Sequence, residues 1–322
     1  MEIDTLEVVQ IGGMTQSIRV RGTNASNPVL LLMQQGPGLP IINETRGFER
    51  LLGLEKDFTV VYWDQRGTGL SSPPLRKSSN TFHIGAAQMI DDTVSMLELL
   101  HDRFGGKIFV AGFSFGATFA AQAAVRRPDL IAALVATGMD IDIPFAENHT
   151  YDFVLNTARK RGNRRAIRQL ERIGLPPHLD AKQFSTRARW AANYGGVTAN
   201  ATFDTVLRAL VGSLLRSPDY SIADVIRTVR GVTITQAALL PELARTDLVH
   251  TMPRLDIPIV MAQGRLDQVA PAEPAQRFYD TLTAPGKQLV WFEESAHTPQ
   301  YDEPAKFRDL LMTVRADHLA TT

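Results

Sequence analysis

The chain has 322 residues, 44% of them hydrophobic and 21% charged, with 34 basic and 34 acidic side chains and no cysteine. That length suits two domains, or one large domain with an insertion. Zero formal net charge gives no electrostatic reason to expect nucleic acid or an anionic membrane as partner. The lack of cysteine excludes disulfides, thiolate metal sites and cysteine nucleophiles. Met1-Glu2-Ile3-Asp4 lacks the basic start of a signal peptide, and no apolar run approaches the roughly 18 residues of a membrane span. A cytoplasmic chain is the expectation.

Taken in order, residues 6–11 and 17–21 alternate as strands around Gly12-Gly13 and read as a hairpin. Residues 29–33 are a continuous apolar run, the mark of a strand buried on both faces, and lead into Gln34-Gln35-Gly36-Pro37-Gly38. A second buried strand at 58–63 is followed by Asp64-Gln65-Arg66-Gly67-Thr68-Gly69. Residues 82–103 carry Met89, Ile90, Val94, Leu97 and Leu100 at helical spacing. Strands at 108–111 and 130–136 follow, the first running into Gly112-Phe113-Ser114-Phe115-Gly116 and then a helix of small apolar residues. Between 140 and 250 the alternation stops and several helices are expected. It resumes with strands at 257–263 and 288–292 and helices at 273–282 and 304–318. This pattern predicts an α/β architecture: a mostly parallel sheet with helices on both faces, core parts 1–139 and 251–322, and an inserted helical cap at 140–250. Arg159, Lys160, Arg161, Arg164, Arg165, Arg168 and Arg172 crowd the first part of that insertion. They read as a solvated helix face, or alternatively as a charged wall for anionic substrates.

A strand, a sharp turn with Ser114 at its apex and a helix resemble the nucleophile elbow of α/β-hydrolases. Gly112 and Gly116 have a physical reason there, because strand and helix must approach without an intervening Cβ. A serine hydroxyl needs a base, and the base needs a group that fixes its tautomer. In the α/β-hydrolase order the acid is Asp267, after the strand at 257–263, and the base is His297, after the strand at 288–292. Glu293 and Glu294 sit too close in sequence to His297 to serve. For the oxyanion, the donors are the backbone N–H of Phe115 and that of Gly36. The peptide before Pro37 is a candidate for cis.

At these residues the chain resembles the proline iminopeptidase group of α/β-hydrolases. Gln34-Gln35-Gly36-Pro37-Gly38 stands against that group's His-Gly-Gly-Pro-Gly loop. Asp64-Gln65-Arg66-Gly67-Thr68-Gly69-Leu70-Ser71 matches its Asp-Gln-Arg-Gly-x-Gly-x-Ser segment, and Gly112-Phe113-Ser114-Phe115-Gly116 its Gly-Gly-Ser-Trp-Gly. The departures are Gln34-Gln35 and Phe115. The resemblance implies an acyl-enzyme serine hydrolase without metal or organic cofactor, acting on a small molecule or short peptide and releasing an N-terminal residue. Esterase, lactonase or thioesterase activity is the alternative, and a non-catalytic ligand-binding homologue is a third reading. It also implies acidic residues around the substrate amine, for which Asp204, Asp219, Asp224, Glu242 and Asp247 are available. Gln35, Trp190 and Tyr194 are candidate substrate contacts, the two aromatics sharing a helix face. Asp64 and Arg66 read as braces between loops, and Trp63 as core.

Overall fold

The structure, a computed structural model, describes residues 1–73 and 83–321. Alternation at the start of the chain builds an antiparallel hairpin of β1 (Ile3–Ile11) and β2 (Met14–Gly22). β3 (Val29–Met33) is buried at all five positions. α1 (Thr45–Leu52), which no sequence signal announced, leads to β4 (Thr59–Asp64). α2 (Ala86–Phe104) starts after Gly85; Phe82, where the spacing places its start, lies outside the described residues. β5 (Ile108–Phe113), α3 (Phe115–Arg126) and β6 (Ile131–Thr137) follow. Next comes a helical stretch: α4 (Ile143–Lys160), α5 (Arg164–Ile173), α6 (Ala181–Asn193), α7 (Phe203–Arg216), α8 (Ile222–Leu243) and α9 (Leu248–Thr251). The chain closes with β7 (Ile259–Gly264), α10 (Ala272–Thr281), β8 (Lys287–Phe292), α11 (Pro299–Asp302) and α12 (Pro304–Thr321).

The strands form one sheet in the order β1-β2-β4-β3-β5-β6-β7-β8, parallel from β4 onward. Side-chain alternation divides the core between its two faces. Leu31, Met33, Val61 and Trp63 pack on the face of α2 and α3, while Leu30, Leu32, Val60 and Tyr62 pack on the face of α1 and α12. This explains why β3 and β4 read as unbroken apolar runs.

The stretch from α4 to α9 leaves and re-enters the sheet at one point. Leu248 N–H donates to Ile141 O at 2.7 Å, and Ile143 N–H to Thr246 O at 2.9 Å. Its helices are set by side-chain caps: Asp142, Asn163, Asp180, Thr202, Ser221 and Asp247 each accept a backbone N–H of the first turn. A separate small core of Tyr151, Val154, Ala158, Leu170 and Trp190 holds α4, α5 and α6 together.

Candidate active site

Five loops converge at the C-terminal ends of adjacent parallel strands, where open α/β sheets place their ligands. The central loop is the turn after β5. Ser114 has φ +51° and ψ −124°, the one non-glycine with positive φ among the described residues. Such a backbone is strained and persists only where its surroundings hold it. Here Ser114 N–H donates to Thr137 O at 2.8 Å, and Ser114 O accepts Ala117 N–H at 2.9 Å. The flanking glycines allow close approach: a Cβ on Gly112 would lie 2.5 Å from Ala117 Cα, and one on Gly116 2.3 Å from Gln34 O.

Ser114, His297 and Asp267 meet although 183 and 30 positions separate the pairs. His297 Nε2 lies 3.0 Å from Ser114 Oγ, and Nδ1 lies 2.8 Å from Asp267 Oδ2. All three side chains are buried. The other oxygen of Asp267 accepts Val269 N–H at 2.7 Å and Ala270 N–H at 2.9 Å, which fixes the carboxylate. Gly264 lets the loops after β7 and β8 touch, since a Cβ there would fall 1.8 Å from Ala296 O. Burial by itself pushes the His297 imidazole down. The Asp267 carboxylate, joined by that of Asp140, outweighs it and holds the ring above its ordinary value of 6.5.

Asp140, on the loop after β6, is absent from the sequence expectations. Its Oδ2 accepts the Ser114 hydroxyl at 2.7 Å, and the side chain is buried. Burial raises its carboxyl from 3.8 to about 6, with Asp267 reinforcing the rise and His297 and Ser114 opposing it. Ser114 has one proton and two neighbours that can take it. With Asp140 ionised, the hydroxyl donates to Asp140 and His297 Nε2–H donates to Ser114. With Asp140 protonated, Asp140 donates to Ser114, which is then free to donate to His297. A cue was present in the sequence, because Asp140 follows the strand next to the elbow strand.

A cavity of about 750 Å³ opens above Ser114. Asp140, Glu147 and Arg187 are the buried charged groups that line it. Arg187 is paired with Glu147 at 2.6 Å and contacts His178 Nδ1 at 3.1 Å. Burial pulls the Arg187 guanidinium below its ordinary value, against the pull of Glu147. Gln35, Gly36 and Phe115 line the cavity as well, Gln35 accepting from Gln300 Nε2 at 3.4 Å. Phe115 is the first residue of α3, so its N–H has no intrahelical acceptor. Gly36 has φ +67°, and the Gly36–Pro37 peptide is trans rather than cis.

Other candidates are not brought to the site. Trp190 and Tyr194 do not line the cavity; they pack on each other at 5.6 Å, Trp190 donating to Gln169 and Tyr194 accepting from Asn163. None of the five acids expected around an amine lines it either. Asp219 pairs with Arg19, Asp224 and Asp247 cap helices, Glu242 accepts Ala86 N–H, and Asp204 is exposed. The basic cluster of α4 and α5 is an exposed helix face away from the cavity. Arg66 grips Asp92 and Gly12 O, and Asp64 accepts the N–H groups of Ile41, Ile42 and Leu70, so both brace loops. Trp63 is core. Among the described residues no group of three or more His, Cys, Asp or Glu is arranged to hold a metal ion.

Comparison with known proteins agrees with this architecture. A family model described as "alpha/beta hydrolase fold" matches residues 28–304. The chain is 29% identical over 320 residues to a protein named "Probable aminopeptidase YbaC" of Bacillus subtilis (strain 168), covering 98% of each chain. It is 21% identical to a proline iminopeptidase of Heyndrickxia coagulans, covering 93% of this chain and 94% of that one. The solved structure of proline iminopeptidase from Mycobacterium smegmatis superposes with a TM-score of 0.64 at 15% identity, over 99% of this chain and 100% of that one. With a family match across most of its length and an eight-stranded, mostly parallel sheet, the chain belongs to the α/β-hydrolase fold family.

Proposed function

We propose that the protein is a serine hydrolase that works through an acyl-enzyme and releases the N-terminal residue of a small amide or short peptide. The observation that carries the reading is the continuous run Asp267–His297–Ser114, with contacts of 2.8 and 3.0 Å, at the floor of a cavity. Ser114 Oγ attacks the carbonyl carbon as its proton passes to His297 Nε2. His297 then protonates the leaving amine, and a water repeats the sequence to release the acyl group. Asp267 holds the imidazole tautomer and balances the imidazolium. The N–H groups of Gly36 and Phe115 are the oxyanion donors. In this reading residues 140–250 cap the site between core parts 1–139 and 251–322, Gln35 borders the reacting carbonyl, and the enzyme works in the cytoplasm without a cofactor.

Asp140 favours an aminoacyl substrate. An α-ammonium is one carbon away from the scissile carbonyl, so it lies beside Ser114 Oγ when the serine attacks. A carboxylate 2.7 Å from that oxygen is within its reach. Once the ammonium occupies Asp140, the serine proton is released from Asp140 toward His297. Glu147 and Arg187 are paired with each other and Lys182, the other charged side chain on the wall, is exposed, so Asp140 is the buried carboxylate left for a cation. The relatives named probable aminopeptidase and proline iminopeptidase point the same way.

The aliphatic walls of the cavity favour the second reading, an esterase for a small apolar ester. Prolyl, alanyl and leucyl β-naphthylamides, each free and N-acetylated, separate the two when compared with p-nitrophenyl acetate and butyrate. The expected result is naphthylamine release from the free amines that N-acetylation abolishes. Ester turnover with no release from any naphthylamide would overturn the aminopeptidase assignment and leave the esterase.

A further inference from the structure

The part of the cavity lined from the β6 side of Ser114 and the part lined from the β3 side, termed its two lobes, differ in the chemistry of their lining. In the sheet β5, which carries Ser114, lies between β3 and β6. On the β6 side stand Asp140 and the Glu147–Arg187 pair, supplied by the loop after β6 and by α4 and α6. On the β3 side α7 and α8 are docked over the loops after β3 and β4. A Cβ on Gly38 would lie 2.6 Å from Val232 Cα, Thr235 Oγ1 donates to Gly67 O at 3.1 Å, and Asn43 Nδ2 donates to Ser213 Oγ at 2.7 Å. The cavity wall on this side is mostly aliphatic: Val206, Leu207, Leu210 and Val211 of α7 and Val229 and Val232 of α8, with Thr228, Thr233 and Gln236 of α8 as its polar members. Val206, Leu207 and Val229 are also 37%, 45% and 60% exposed, so this lobe opens to solvent.

We infer that the β3-side lobe is a binding site for a long aliphatic group on the substrate, which runs along α7 and α8 with its reacting carbonyl at Ser114. The inference rests on the serine hydrolase reading and specifies its substrate class. A cavity of about 750 Å³ falls within the roughly 300–1,000 Å³ that accommodates drug-sized ligands. An N-terminal imino acid with a small leaving group would leave most of the aliphatic wall facing water. An unbranched chain would desolvate it, and each buried methylene strengthens binding about fourfold. The exposure of Leu207 and Val229 leaves this side open to solvent, so the lobe sets no fixed chain length.

Alkyl fluorophosphonates test this, since their chain can enter whichever lobe suits it while the phosphorus bonds to Ser114. The second-order labelling rate is measured from ethyl to decyl, with the labelled residue identified by peptide mass spectrometry. The expected result is a rise of about fourfold per methylene until the lobe is filled. Leu207→Asp and Val206→Asp, both at part-exposed positions that tolerate a polar side chain, are expected to lower the octyl-to-ethyl rate ratio at least tenfold. Labelling of Ser114 at a rate independent of chain length overturns the inference and leaves the serine hydrolase intact. A steep rise that both Asp variants leave unaltered overturns the placement along α7 and α8. No labelling of Ser114 by any member overturns the serine hydrolase reading itself, and this inference with it.

Discussion

The loops around Ser114 and the helices above them encode their contributions differently. Around Ser114 the positions are dictated by backbone. Ser114 takes a left-handed conformation, Gly116 must lack a Cβ against Gln34 O, and Gly264 must lack one against Ala296 O. These demands leave a trace in sequence because few residue types meet them. In the stretch from α4 to α9 the backbone is mostly helix, and what decides the substrate is which side chains face the cavity. Helical periodicity marks a buried face without saying whether it is buried against protein or against substrate. The chemistry of such an enzyme is therefore open to a reader of the sequence, while its selectivity waits for the tertiary structure.

The largest expected effect falls on the backbone-defined part. Ser114→Ala is expected to lower kcat about 10⁶-fold, and Asp267→Asn about 10⁴-fold through the wrong imidazole tautomer. Steady-state kinetics with an unchanged circular dichroism spectrum check both. If Asp267→Asn proved near-neutral, the correspondence between strand-end position and role would break at that residue.

Asp140 belongs to both regions, so its variant sharpens the contrast. Loss of a charge-assisted hydrogen bond predicts that Asp140→Asn lowers the ratio of aminoacyl naphthylamide to ester turnover about 10- to 100-fold. The pH profile of kcat/KM checks the same residue. His297 must be neutral to accept a proton and its ring is held above 6.5, so activity falls on the acid side with a midpoint above that value. Removing the Asp140 carboxylate removes one group that favours the imidazolium, so the midpoint moves down in the variant.

Stability changes less. The Asp140 carboxyl is raised from 3.8 to about 6 in the folded protein, so the folded state holds the proton more tightly than the unfolded chain. Its contribution is fully present below pH 3.8 and is lost as pH rises to about 6. Asp140→Asn, which cannot ionise, is expected to stabilise the protein at pH 8, by at most about 3 kcal/mol, with the gain vanishing toward pH 4. Thermal melts at the two pH values read this directly. Smallest in activity is Trp190→Phe, expected to destabilise by about 1–2 kcal/mol through the lost bond to Gln169 and lost packing, with kcat/KM unchanged within about twofold. A large loss of activity would return Trp190 to the substrate site.

β3 to β7 were legible to within two residues because they are buried on both faces and read as apolar runs, whereas β1 and β2, half-exposed, each begin three residues before the stretch their alternation marked. The convergence of Ser114, Asp267 and His297, and the place of Gly36 on the cavity wall, were legible from their positions after strands. α1 went unread because it is one short helix with a polar, charged outer face between two loops. Asp140 went unread because an aspartate before a helix looks like a cap, a role that its neighbour Asp142 does fill. Trp190 and Tyr194 share a helix face as their spacing predicts, but that face turns to the small core of α4, α5 and α6. The acids at 219, 224, 242 and 247 were eligible as amine ligands by composition alone; caps and ion pairs had already taken them.

Whether Ser114 carries the acyl group is read most directly by acid-quenching the enzyme during turnover of p-nitrophenyl butyrate and mapping the peptides by mass spectrometry. A butyryl adduct is expected on Ser114 and is absent from Ser114→Ala. Sustained turnover with no adduct, or an adduct on another residue that persists in Ser114→Ala, would contradict an acyl-enzyme at Ser114.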